Sequence, residues 1–528
     1  WGEHGFLSCA YENMTFPSAI KSVEYEPIAR KKMAKYFTHF SNSWSKDIYR
    51  RDYIAKTIDI SLLDYYAFEE TTRLSRSVED QVKLVTPLIY QAISECKKSK
   101  VDISPIISYP FLLMRLTIRF LKDLYRCLIF KSKTPVPDII YYRKKVSPDL
   151  GEYPRLRKKL NIRGDDLLIG VYPISSSVES KFGCHYLNSF NGMSGNLIKA
   201  YFFTMKKSFF DLGFFYKNGI NKKIFRKYLI DTYISNIFSR MEPKVICGVL
   251  VDKPLYVLFY KYKSLTTKIV SLNESFFFPP NRSFDYNHLD RYYAMNNIDE
   301  NMQNIHGGSI KSFKHVEFFR NLPDRVNGIS EELEEELKKY KHCILLLPAQ
   351  TFVEKTGFYY WASDELESFL KVSLDLSISM PDTLFIVKGK KGELRFLPNW
   401  FHELDQQNEN IFVIHCDRPK ELEKNRFEDL VSVADISISM ALTSTTIWQT
   451  IARGKPVIAI NRSMHESSLT KYKGFESNLT NLYSNIMYWK SLSNFEISES
   501  LKVIKKDFNI GESDGLGDVA LDLKRLID

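Results

Sequence analysis

The sequence predicts an α/β chain of two Rossmann-like domains with a helical elaboration towards its N-terminus, and three observations predict it. Short, almost continuously apolar runs alternate with helical patterns through the last third of the chain, the pattern of parallel strands covered on both faces. The same alternation recurs, more weakly, between residues 167 and 272. The chain is 528 residues long, 44% hydrophobic and 26% charged, which supports large cores and excludes disordered, collagen-like and staple-dependent classes.

In chain order, residues 1–150 read as mainly helical and basic, with strand candidates at 57–63 and 139–142. The most apolar stretch is 110–133 (PFLLMRLTIRFLKDLYRCLIFKSK), but Arg115, Arg119, Lys122, Asp123 and Arg126 interrupt it too often for a membrane-spanning helix. Two readings stand side by side for it: a buried helix whose Arg and Lys reach outward, or a helix lying on an anionic membrane surface. Strands follow at 167–172 (LLIGVY), 245–251 (VICGVLV) and 268–272 (KIVSL), with helices at 222–240 and 254–265. From the aromatic-proline run at 276–280 to about 341 the chain turns polar, ending near the Glu-rich run 331–336, so the expected division is 1–335 and 336–528.

The second part opens with the apolar run 343–348 (CILLLP) and a helix over 364–379 whose Leu366, Phe369, Leu370 and Leu376 recur mostly at helical spacing. Strands are expected at 383–388 (TLFIVK), 411–415 (IFVIH), 436–440 (ISISM) and 456–460 (PVIAI), with helices near 398–404, 420–431 and 445–453. One helix between successive apolar strands is the βαβ pattern of a Rossmann-like domain.

Lys and Arg number 74 and Asp and Glu 63, and 74 − 63 gives a net charge of +11, a mild bias towards anionic partners: nucleotides, nucleic acid or acidic membranes. Dispersed basic residues and the absence of any zinc-finger, helix-turn-helix or RNA-recognition pattern make nucleic acid the least favoured. The seven cysteines include no C-x-x-C pair, which fits a reduced, cytoplasmic compartment. The chain opens at Trp1 without a charged-then-apolar leader and reads as an internal start with no signal peptide. Neither G-x-x-x-x-G-K-[ST] nor G-x-G-x-x-G occurs, which removes the main support for a P-loop ATPase or a standard dinucleotide enzyme.

The strongest local signal is 434–461, ADISISMALTSTTIWQTIARGKPVIAIN. A strand, a loop carrying Thr443, Ser444, Thr445 and Thr446, a helix ended by Gly454 and a further strand follow one another. Hydroxyls and unpaired amides at a helix N-terminus favour an anion such as a phosphate ester, and the same residues also serve as an ordinary helix cap. This block resembles the donor-binding half of GT-B glycosyltransferases of bacterial surface polysaccharide assembly, among them the capsule-type Kdo and sialic acid transferases and the teichoic acid glycerophosphate polymerases. The resemblance covers about residues 340–465 and is one of pattern; the His-Pro element of the Kdo and sialic acid enzymes is missing.

The resemblance implies a GT-B fold, two Rossmann-like domains facing a cleft: an acceptor-side domain over 1–335 and a nucleotide-sugar-binding domain over 336–528. It implies transfer of a sugar from a nucleotide-activated donor to a surface-polysaccharide or lipid-linked glycan acceptor, with no metal and no cofactor beyond the donor substrate, at the inner face of the membrane. Ser444, Thr445 and Thr446 would then contact the donor phosphate. Lys388, Lys390 and Lys391 follow the second strand of this domain, and Gln350, Thr351, Glu354 and Lys355 follow the first; both loops are equally readable as solvated turns. An inverting transferase needs a base on the acceptor side, for which Asp252, Glu274, Glu3 and His4 are candidates, with Glu354 facing them across the cleft. His306 and the pair His415 and Cys416 read as loop and strand-end residues; as neighbours on a strand, the latter two point to opposite faces. An epimerase or a glycerophosphate polymerase on the same fold is the alternative reaction.

Overall fold

The computed structural model describes residues 47–50, 52–54, 56–57, 104–129, 136–142, 156, 159–160, 167–169, 193–217, 222–249, 254–272, 286–301, 308–317, 328–348, 363–389, 409–414, 424–440, 445–460, 471–511 and 515–527. Helices α1 (Ser104–Ile129), α2 (Met193–Lys217), α3 (Lys222–Met241) and α4 (Leu255–Tyr262) accompany strands β1 (Ile139–Tyr141), β2 (Leu167–Ile169), β3 (Val245–Val249) and β4 (Lys268–Leu272). Then come β5 (Asn287–Leu289), β6 (Arg291–Ala294), α5 (Asn297–Asn301), β7 (Gly308–Ile310) and β8 (Phe313–His315). Six of these strands form one parallel sheet in the order β2-β1-β3-β4-β6-β8, and β5 pairs with β7 separately.

After α6 (Glu331–Leu337), which spans the division drawn at 335, a second six-stranded sheet begins. Its elements are β9 (His342–Leu347), α7 (Ser363–Ser379), β10 (Thr383–Lys388), β11 (Ile411–Ile414), α8 (Phe427–Val433), β12 (Ile436–Ser439), α9 (Thr445–Ala452), β13 (Val457–Ile460) and β14 (Glu476–Ser477). The order is β11-β10-β9-β12-β13-β14, all parallel. Counted from β9 this is 3-2-1-4-5-6, the Rossmann order. Helices α10 (Leu482–Ser491), α11 (Asn494–Asp507) and α12 (Leu516–Ile527) close the chain.

In the first sheet, side chains alternate with period two, as a pleated strand demands. Ile140, Ile246, Ile269, Tyr292 and Ala294 join a core built with Leu116 and Phe120 of α1, Leu197 of α2 and Tyr233 of α3. Their neighbours Tyr141, Cys247, Val270 and Tyr293 face the other way and join a core that runs through Leu516, Val519 and Leu523 of α12 into the second sheet. The C-terminal helix therefore returns to cover the N-terminal sheet. Asp522 on it is almost fully buried and accepts hydrogen bonds from Arg291 Nη1 (2.6 Å), Tyr293 OH (2.8 Å) and Lys314 Nζ (3.0 Å). Burial pushes the Asp522 carboxyl up, but the bonds from Arg291, Lys314 and Tyr293 outweigh it and hold the group below its ordinary value. The chain reaches α12 past β8: Asn509 Nδ2 donates to Val316 O at 2.9 Å. A Cβ on Gly515 would lie 1.9 Å from Glu317 O, so only glycine fits there. Two helix-covered parallel sheets tied by a returning C-terminal helix make the fold GT-B in type.

Most expected strands of the last third stand within a residue of their places. The region expected to be a polar passage instead carries β5 to β8. Thr57, expected in a strand, is helical, and 58–63 lie outside the described residues, as does the helix expected near 398–404.

Candidate functional site

The order of the second sheet reverses between β9 and β12, and open α/β sheets bind ligands outside the carboxyl ends of their strands at such a switch point. Helix α9 starts six positions beyond the end of β12. Its direction follows from Ile447, Trp448 and Ile451, which share one fully buried face, with the Trp448 ring 4.5 Å from Phe508 and 6.1 Å from Phe475. Gly454 ends it at φ +72°, donating its N–H to Ile451 O at 2.9 Å, and the chain turns directly into β13. Lys455 Nζ ties that turn to Ala434 O at 2.9 Å. So anchored, the first turn of α9 directs its backbone N–H groups and the positive end of its dipole to the carboxyl side of the sheet, and half-buried Thr446 stands in that turn.

Strand β10 ends on half-buried Lys388, in register with Ile414. β9 lies between β10 and β12, so Lys388 stands about 10 Å from the β12 row at ordinary strand spacing. Sequence reasoning passed over two buried hydroxyls on one face of β12, Ser437 and Ser439, of which Ser437 Oγ makes no hydrogen bond. Their signal was present in the alternation of ISIS.

The structure thus brings Lys388 and Thr446 to one edge of one sheet, and Thr445 opens α9 with its backbone. Ser444, Gln350, Thr351, Glu354, Asp252 and Glu274 lie outside the described residues, as do Glu3, His4, His306, Lys355, Lys390, Lys391, His415 and Cys416. Of the cysteines, Cys127, Cys247 and Cys343 are described and free. Burial pushes the Cys343 thiol up to about 12, and burial with the nearby Asp123 carboxylate does the same to Cys127, so neither is a thiolate nucleophile at neutral pH. Among the described residues no group of three or more His, Cys, Asp or Glu could hold a metal ion.

A second polar cluster escaped the sequence entirely. Residues 52–54 and Lys56 are helical and buried in the N-terminal half: His288 bonds Asp52 at 2.7 Å, and Lys56 Nζ donates to Asn287 Oδ1 at 2.7 Å, while Arg50 Nη1 donates to Asp211 Oδ1 at 2.6 Å. Asp52 and Lys56 are buried. Asp290 donates its N–H to Ile269 O at 2.8 Å, which sets β5 beside the start of β4, at the amino edge of the first sheet. The cluster stands at the opposite edge from the one where such sheets bind ligands, and it ties Arg50, Asp52 and Lys56 to the fold. Its partners Asp52 and His288 are 236 positions apart, beyond any local pattern.

No known family profile and no curated protein matches this chain. Solved structures do. The UDP-GlcNAc 2-epimerase of Neisseria meningitidis bound to UDP-GlcNAc is similar at 9% identity and a TM-score of 0.43, over 74% of this chain and 99% of that one. Anabaena HepE in complex with UDP and glucose is similar at 10% and 0.43, over 74% and 99%. The wall teichoic acid polymerase TagF, soaked with CDPG, is similar at 12% and 0.38, over 79% and 96%. At these identities and TM-scores none of them assigns a residue or a reaction to this chain, and its fold rests on the strand order given above.

Proposed function

We propose that the chain is a glycosyltransferase that moves a sugar from a nucleotide-activated donor to a surface-polysaccharide or lipid-linked glycan acceptor at the cytoplasmic side of a membrane. One observation carries this reading: the α9 N-terminus and Lys388 share the carboxyl edge of a 3-2-1-4-5-6 sheet, either side of its switch point. The first-turn amides of α9, with Ser444, Thr445 and Thr446, take the donor phosphates, Lys388 neutralises them, and Gln350 and Thr351 complete the donor contacts. As the bond from the anomeric carbon to the phosphate oxygen breaks, the nucleotide leaves with the electron pair, and positive charge stabilises it. The acceptor hydroxyl forms the new bond and gives its proton to a carboxylate, with Glu274, Asp252 and Glu354 the candidates.

The test is turnover of labelled nucleotide sugars. Lys388→Ala and the paired Thr445→Ala/Thr446→Ala should each lose about a hundredfold in kcat/KM, the usual scale for one lost group on a developing anion. Full activity in both variants would overturn the site. Donor that is isomerised without reaching an acceptor would turn the reading to an epimerase, and glycerophosphate transfer to a polymerase.

A further inference from the structure

Helices α1 and α2 pack antiparallel on the first sheet: Thr117 Oγ1 and Tyr201 OH lie 2.8 Å apart, Tyr109 OH and Ser208 Oγ 2.9 Å, and the Phe120 and Tyr201 rings stack at 4.3 Å. Leu112, Leu116 and Phe120 of α1 and Leu197, Ala200 and Thr204 of α2 face inward. That should leave the outer faces polar, and it does not. On α1, Phe111, Met114, Ile118, Leu121, Tyr125 and Leu128 recur at alternating spacings of three and four, and Phe111 and Tyr125 are 64% and 65% exposed. On α2, Ile198, Phe202, Phe209 and Phe210 are exposed, Phe202 and Phe209 at 65% and 69%.

At about 100° per residue the Met114, Leu121 and Leu128 row falls on the side of α1 nearer α2, and Ile198, Phe202 and Phe209 fall on the side of α2 nearer α1. The two stripes therefore adjoin along the seam as one apolar band. Exposed cations border it on both outer sides, Arg115 and Lys122 on α1 and Lys199 and Lys206 on α2. The only acids of the two helices are turned away: Asp123 is half-buried beside Arg119, and Asp211 is buried against Arg50 and Tyr228. Exposed aromatic and aliphatic side chains between cations, with no exposed carboxylate, complement an anionic lipid surface. No described helix is long and apolar enough to cross a membrane.

We infer that α1 and α2 together form a docking face for an anionic bilayer, on which the band enters the headgroup boundary and the four cations meet lipid phosphates. Residues 110–133 alone would supply half of this surface. The inference does not depend on the sugar-transfer reading, because its test scores vesicle binding and not turnover. Flotation of the full chain with phosphatidylcholine vesicles, with and without about one third phosphatidylglycerol, should show binding to the anionic vesicles only, weakened by salt. Leu121→Ser/Phe202→Ser/Phe209→Ser should abolish flotation. Arg115→Gln/Lys122→Gln/Lys206→Gln should weaken it about fivefold per cation lost. Unchanged thermal unfolding in both variants, expected because every substituted side chain is exposed, separates lost docking from lost folding. Failure of the full chain to float, equal flotation of the variants, or a dimer that dissociates in the serine variant without any vesicle binding would each overturn the inference.

Discussion

The two halves of the molecule share an architecture, a parallel six-stranded sheet under helices, and hold it by different means. In the second sheet β9, β10 and β13 are almost wholly apolar, and Trp448, Phe475 and Phe508 pack against one another beside them. In the first half, several buried polar groups are matched by a partner far along the chain or on another element. Examples are His288 with Asp52, Asn287 with Lys56, Tyr292 OH with Asp299 at 2.9 Å, and Tyr293 with Asp522. Apolar burial needs only a volume and a face, whereas a buried polar group needs one particular partner in one geometry. One topology is thus reached by a permissive route in one half and by an exacting one in the other.

The largest expected effect breaks the exacting half. Asp52→Ala strands His288 in a dry site and should cost about 3–5 kcal/mol in urea unfolding, the scale for a broken buried pair. Leu345→Ala in β9 should cost about 3 kcal/mol through its cavity. The comparison sharpens in the rescue: Asp52→Leu with His288→Leu should recover most of the loss, because removing both partners leaves no orphaned group. A double variant no more stable than Asp52→Ala would refute the polar account of this half.

Gly515→Ala should come next, at about 2 kcal/mol, since the new Cβ would sit 1.9 Å from a backbone oxygen that cannot rotate away. Amide exchange should rise in α12 and leave the β9 to β13 strands protected. Gly511→Ala is the milder control, because the nearest atoms its Cβ would meet are those of the Glu317 carboxyl end, which can swing away.

The smallest effect is graded with pH. Burial raises the Asp47, Asp290 and Asp522 carboxyls, but Lys261 for the first, Lys263, Lys311 and the Ile269 amide for the second, and Arg291, Lys314 and Tyr293 for the third bring all three below their ordinary value. A carboxyl lowered on folding adds stability above its unfolded value of about 4, and that stability is lost as pH falls through the folded value. The lowered carboxyls of the second half, Asp382, Glu496 and Asp507, are exposed and add little. Exchange measured at falling pH should therefore show the first sheet and α12 loosening before β9 to β13; simultaneous loosening would count against the contrast.

The same contrast explains what could be read without coordinates. Runs such as TLFIVK and PVIAI announce buried parallel strands because their second-sheet neighbours are mostly apolar and interchangeable, and α9 is announced by hydroxyls ahead of an apolar helix and Gly454 behind it. β5 to β8 are three or four residues each and include Asn287, His288, Arg291 and Lys314, residues that read as loop until their partners are seen. Helix α2 escaped notice for a related reason: it is apolar on both its buried and its exposed sides, so it shows no clean amphipathic stripe.

By itself the sequence determined the Rossmann-like second half, the end of β10 that carries Lys388 and the start of α9 that carries Thr446, because periodicity and helix-end chemistry act over a few residues. Only the tertiary structure decided the return of α12 onto the first sheet, the burial of Asp52 and Lys56 against His288 and Asn287, and the meeting of two apolar stripes on α1 and α2. Those features depend on groups tens to hundreds of positions apart, and their energy exists only once the chain has brought them into contact.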